Sequence, residues 1–158
     1  MGNALKLPAI DPARVAAAAG SSYPEPFKSR VAARSKQKLG DALGLKNFGV
    51  NLTTLKPGAL SALRHWHTRQ DEFIYVVSGE LTLVTDGGEQ ALTPGMAAGF
   101  PAGKADGHHL VNHGSVDAVY LEVGDRTAGD EAHYPDDDLA ARMTPAGRQF
   151  QHKDGTPY

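Results

Sequence analysis

At 158 residues, with 41% hydrophobic and 22% charged side chains, the chain has the size and balance of one folded domain, which excludes disordered and collagen-like classes. A formal charge of -2 and a pI near 6.4 give no basic field for a phosphate backbone, and no Lys/Arg cluster supplies one locally, so nucleic acid is not an expected partner. The absence of cysteine excludes disulfides and thiolate ligation, leaving nitrogen and oxygen donors for any metal.

The first twenty residues, MGNALKLPAIDPARVAAAAG, are interrupted by Lys6, Pro8, Asp11, Pro12 and Arg14, unlike the apolar run of a secretory signal. Lys6 also stands where an N-myristoylation motif starting at Gly2 requires Ser or Thr. A cytoplasmic location is expected. No stretch approaches the roughly 18 apolar residues of a membrane span, so no membrane partner is expected.

Composition separates an arm (residues 1–46), a strand-rich body (47–124) and a tail (125–158), together expected to make a single domain. In the arm, Arg14 to Ala19 is an Ala-rich stretch stopped by Gly20, and Ser21 to Pro26 is a Pro-broken loop. Ser29 to Leu45 reads equally as helix or extended chain. In the body, Phe48 to Leu55 alternates as a strand and ends at the Pro57-Gly58 turn signal. Further strands are predicted at about 59–67, 72–77, 81–85, 89–93, 108–112 and 118–123, with the Asp86-Gly87-Gly88 turn closing a hairpin. In the tail, the acidic run Asp136 to Asp138 before Leu139 to Met143 predicts a short helix. Short strands at this spacing, without intervening amphipathic helices, predict an all-β antiparallel sandwich or barrel.

Five of the seven histidines fall between residues 65 and 113. On a strand, His65 and His67 share a face and stand about 7 Å apart at the backbone, with Arg64 and Trp66 directed the other way. Four residues later, Glu72 opens an apolar strand, enough chain for a tight connection that returns a carboxylate beside the imidazoles. Three polar groups aimed into a barrel interior are costly as packing but natural as metal ligands. His113, His133 and His152 are expected at the surface or on the arm.

Gly58, six residues, His65-Trp-His67, four residues, Glu72, six residues and Gly79 resembles the first motif of the cupin superfamily, with one extra residue after Gly58. Gly95, five residues, Pro101-Ala-Gly103, then His108, three residues and Asn112 resembles the second motif, with two extra residues after Gly103. The resemblance implies a jelly-roll β-barrel and a metal on His65, His67, Glu72 and His108. His109 competes for the fourth place, and His108 is preferred because it shares a face with Leu110 and Asn112.

Three imidazoles and one carboxylate suit one divalent transition metal: Mn, Fe, Ni, Cu or Zn. The resemblance implies a metal-dependent enzyme on a small polar metabolite, in the manner of sugar-phosphate isomerases or dioxygenases. The alternatives are a noncatalytic small-molecule sensor and a barrel with a purely structural metal. Lys104 and Arg69 are candidates for meeting an anionic substrate. Phe73, Tyr75 and Val77 leave the strand at Glu72 apolar on its outer face as well, to be covered by the arm, a second sheet or, as the resemblance implies, a homodimer partner.

Overall fold

A computed structural model describes residues 5–158, so Gly2 lies outside the described residues. The architecture is an antiparallel jelly roll. One layer is a six-stranded sheet in the order β1 (Ala17–Ala19), β2 (Arg34–Gln37), β3 (Phe48–Leu55), β10 (Ala118–Asp125), β5 (Glu72–Ser78), β8 (Ala97–Phe100). The facing layer combines two smaller sheets. One runs β7 (Gly88–Leu92), β6 (Leu81–Thr85), β9 (His109–Val111); the other runs β13 (Gly147–Gln151), β12 (Leu139–Thr144), β11 (Glu131–Tyr134), β4 (Trp66–His67).

Period-two alternation decides which side chains enter the space between the layers. On β5, Ile74 and Val76 are buried while Phe73, Tyr75 and Val77 stay 42%, 42% and 48% exposed. On β10, Ala118 and Tyr120 point inward and meet Leu55, Leu81, Leu83, Leu92 and Leu110 in the barrel core. Gly79 turns the chain from β5 to β6 at φ 74°, where a Cβ would lie 2.7 Å from Ala118 Cα, so the first motif's last glycine is required for both conformation and approach. The stretch predicted as one strand from 59 to 67 is regular only at Trp66–His67. Before it, Ser61 N–H donates to Leu110 O at 2.8 Å, and Leu60 bridges Val111.

The arm and tail join the barrel through sheet pairing. β2 pairs with β3, extending the six-stranded sheet, and the Ala-rich stretch supplies β1 at its edge. Ser29 to Leu45 contains the end of a 3₁₀ segment (Phe27–Val31), then β2, then a helix of four residues, Leu39–Ala42. The predicted helix after Asp138 is instead strand β12. Leu139 and Ala141 are buried on one face, and the backbone pairs with β11 on one side and β13 on the other. The acidic run serves neighbouring chains: Asp136 accepts from Arg64, Asp137 from Arg30, and Asp138 from His152 and Lys153. Tyr23, Phe27 and Val31 of the arm pack with Leu63, Ala132, Tyr134, Leu139 and Ala141 in a second cluster. That cluster lies directly behind the strand bearing His65 and His67. Among the described residues, no helix is long and apolar enough to cross a membrane.

Candidate metal centre

Backbone pairing assembles the site. His65 and His108 exchange both hydrogen bonds, His65 N–H to His108 O at 3.2 Å and His108 N–H to His65 O at 2.9 Å, which places their rings 5.0 Å apart. The His67 ring lies 5.1 Å from that of His65. Glu72 opens β5 opposite Gly124 of β10, where the missing side chain leaves room for its carboxylate. Glu72 Oε2 lies 2.9 Å from His108 Nε2, 3.5 Å from His65 Nε2 and 3.7 Å from His67 Nε2. All four predicted residues are thus brought to one point. The donor atoms of His65, His67 and Glu72 lie within 4.8 Å of one another, and His108 joins through Glu72 Oε2.

His109 is directed elsewhere, its Nδ1 3.2 Å from Ala62 O. The two extra residues after Gly103 are absorbed without changing this parity. Asp106 Oδ1 accepts from Asp86 N–H at 2.9 Å, and Arg64 donates to Gly107 O at 3.3 Å, so the longer loop is tied to the β6–β7 turn before His108. Gly103 N–H donates to His67 O at 2.9 Å, docking the Pro101 loop on β4.

Two outer hydrogen bonds fix which imidazole nitrogen faces the centre. His65 Nδ1–H donates to Leu63 O at 2.8 Å, and His67 Nδ1–H donates to Asp130 Oδ2 at 2.6 Å. With those protons placed, Nε2 of each ring presents a lone pair inward, the tautomer a metal ligand needs. Asp130, 1% exposed, is held in turn by the backbone N–H groups of Arg69 (2.8 Å) and Gln70 (3.2 Å). Burial pushes the Glu72 carboxyl up, but the imidazoles of His108, His65 and His67 beside it outweigh that effect and hold the group well below the usual carboxylate range. Burial pulls His108 down, favouring the neutral ring. Lone pairs and an anionic oxygen converging on one point fit a divalent transition ion with nitrogen and oxygen preference.

The cluster lines a cavity of about 610 Å³. Across from it, Glu122 of β10 accepts from Asn51 Nδ2 at 2.8 Å and Tyr120 Oη at 3.1 Å and pairs with Lys36. Arg126 and Arg148 also line this space, whereas Lys104 and Arg69 do not. Lys104 instead borders a smaller cavity of about 190 Å³ on the far side of Glu72, beside Asp106, and the Arg69 guanidinium lies along Gly129. Sequence reasoning missed Asp130, Glu122, Arg126 and Arg148. The signal for Glu122 was its parity with inward Ala118 and Tyr120; Asp130 had none, because its partner is 63 positions away.

Comparison with known proteins agrees with this geometry. A cupin-superfamily sugar phosphate isomerase from Silicibacter pomeroyi DSS-3 shares 44% identity at a TM-score of 0.92, over 96% of each chain. The chain belongs to the cupin superfamily. The cupin domain family itself matches residues 51–124, so the similarity to the Silicibacter protein extends through the arm and tail of this cupin. A candidate sugar phosphate isomerase from Acidithiobacillus ferrooxidans ATCC 23270 is 28% identical at a TM-score of 0.75, over 84% of each chain. The polyketide cyclase RemF from Streptomyces resistomycificus, 22% identical at a TM-score of 0.60 over 74% of this chain and 78% of its own, shares the fold. No curated protein matches the sequence.

Proposed function

We propose that this cupin holds one divalent transition metal on His65, His67, Glu72 and His108 and isomerises a sugar phosphate. The observation that carries the reading is the convergence of three imidazole Nε2 atoms on one carboxylate oxygen at the wall of a substrate-sized cavity. The 44% identity to a sugar phosphate isomerase supports the reaction class. Four protein donors leave up to about two positions on a six-coordinate ion. Such an ion supplies Lewis-acid polarisation of a sugar carbonyl.

The protein's own groups do the rest. Asp130 and Leu63 O keep His67 and His65 in their inward tautomers. The Phe100 ring stacks on His108 at 3.5 Å and holds that ring in place while closing one side of the site to water. Arg148 makes no ion pair among the described residues and presents positive charge to a substrate phosphate, while Arg126, which borders the same cavity, is paired with Asp41 at 2.6 Å. The test is to purify the untagged protein without chelator, measure bound metals by elemental mass spectrometry, and assay a panel of aldose and ketose phosphates. Near-stoichiometric Fe, Mn, Ni or Zn with turnover is expected. Tightly held zinc without turnover on any member would replace this reading with a structural metal, and failure to load any metal would leave a metal-free binding protein.

The same reading includes a second copy of the chain as partner. The arm and tail are spent on sheet edge and second cluster, so neither covers the outer face of the six-stranded sheet. Phe73, Tyr75 and Val77 stay exposed there with no charged residue among them, a surface suited to its own two-fold image. Sedimentation should give a dimer for the native chain and a monomer for Tyr75→Glu; a monomeric native chain would remove the partner.

A further inference from the structure

The geometry points to Glu122 as the carboxylate that carries the proton between adjacent carbons of the substrate. The inference rests on the isomerase reading and names a residue opposite the metal ligands. Glu122 faces Ile74 across the β10–β5 ladder, one step from the Gly124–Glu72 pair, so Glu122 and Glu72 are diagonal neighbours on one inward face. Such neighbours stand roughly 7–8 Å apart. Gly124, without a side chain, opens the space between them. A two-carbon unit resting against the imidazoles would therefore lie within reach of Glu122 across the cavity that both line.

The surroundings of Glu122 are built around a carboxylate that opens onto the cavity. Lys36 from β2, Asn51 from β3 and Tyr120 from β10 all serve a carboxylate whose cross-strand neighbour, Ile74, is apolar. The pair is open to the cavity rather than sealed in the core, with side-chain exposures of 28% for Lys36 and 21% for Glu122, so the carboxylate is accessible to a small molecule there. The bonds are also unevenly divided. Lys36 and Asn51 both bind Oε1, while Oε2 receives only the Tyr120 hydroxyl and keeps a lone pair. Burial pushes Glu122 up, but Lys36 outweighs it and keeps the group ionised, while burial and the charge of Glu122 keep Tyr120 protonated as a donor.

The step balances within the substrate. Glu122 Oε2 takes the proton from C2 of the open-chain aldose phosphate, the C–H pair becomes the C1=C2 bond, and the carbonyl pair moves to O1. Glu122 then returns the proton to C1, the O2 hydroxyl proton passes to O1, and C2 becomes the carbonyl. C2 is oxidised and C1 reduced, with no outside reagent.

The experiment compares metal-loaded native protein with Glu122→Gln in D₂O, following turnover of the sugar-phosphate panel and deuterium entry at C1 or C2 by NMR, with bound metal and thermal unfolding measured alongside. Expected is native metal content with turnover and deuterium entry both reduced at least about 100-fold. Lys36→Met gives an independent reading: without its cation, Glu122 titrates higher, so the acid limb of kcat/KM moves to higher pH. The groups facing Glu122 in that comparison are Lys36, Asn51 and Tyr120 at contact and Glu72 on the diagonal. Turnover and exchange in Glu122→Gln within about threefold of native, or an unmoved acid limb in Lys36→Met, would overturn the role of Glu122 and leave the isomerase reading standing. No turnover by the native protein on any member of the panel would overturn both.

Discussion

The two walls of the cavity treat buried charge in opposite ways. On one, Lys36 balances the charge of Glu122, and Asn51 and Tyr120 donate to it, so the cluster is electrically neutral within the chain. On the other, His65, His67, His108 and Glu72 converge on one point, and the protons of His65 and His67 are committed outward to Leu63 O and Asp130. A cluster of the second kind is stabilised by an added cation rather than by its own members. Damage to it should therefore appear first as lost metal affinity, whereas damage to the apolar packing behind it should appear as lost stability.

The largest effect separates ligands from neighbours. His67→Ala and His108→Ala should each lower metal affinity by more than about 100-fold, beyond what loss of an outer hydrogen bond costs, while the barrel stays folded. His109→Ala, whose ring meets Ala62 O, should retain metal close to the native level. Elemental analysis and chelator competition on the three variants decide it. Equal losses in His108→Ala and His109→Ala would show that the longer loop does not fix the register, and full metal in His67→Ala would dismiss the site.

Next in size is the support behind β4. Leu139 is fully buried in the cluster that backs Leu63, two residues before His65. Leu139→Ala should cost about 2–5 kcal/mol in denaturant unfolding, the range for a large-to-small change in a packed core. A cost under about 0.5 kcal/mol would mean that the tail does not share the barrel's cooperative unit.

That tail marks the limit of what the sequence made legible. The bounds of β3 and β6 follow directly from local alternation, and the spacing of His65, His67 and Glu72 carries its own geometry because strand parity is a local property. Parity likewise separates His108 from His109 despite the longer loop. β12 was hidden for the converse reason: Asp136 to Asp138 followed by Leu139 to Met143 looks locally like a helix start, and only pairing with β11 and β13 makes it a strand. β8, Ala97–Phe100, has too little side-chain contrast to show a period. Asp130 is invisible for the same reason as β12, since its meaning lies in His67, on a strand that the tail reaches only after folding.

Asp130→Asn tests that long-range contact at intermediate size. It keeps the shape and removes the charge that orients His67, so metal affinity should fall about 10- to 100-fold with little change in the metal-free unfolding temperature. The comparison sharpens if His65, whose outer partner is the backbone carbonyl of Leu63, keeps its orientation in the same variant. Unchanged affinity would mean that strand pairing alone places the ring.

The smallest effect concerns the salt bridge that ties the tail to the segment leading into β4. Arg64 donates to both Asp136 oxygens at 2.7 Å, and these hydrogen bonds, against a smaller opposing effect of burial, hold the Asp136 carboxyl below its usual value of 3.8. A carboxyl lowered by folding contributes stability that is fully present above its unfolded value and lost as pH falls through the folded one. Asp136 is half exposed, so the contribution should stay below about 1 kcal/mol after solvent screening. Asp136→Asn should therefore unfold slightly below native at neutral pH and at pH 5, and the difference should fade as pH drops below 3.8. A gap that persists unchanged in acid would assign the loss to packing around Arg64, which also donates to Asp86 and Gly107 O, and would leave the ion pair itself without a measurable share in holding the tail to the barrel.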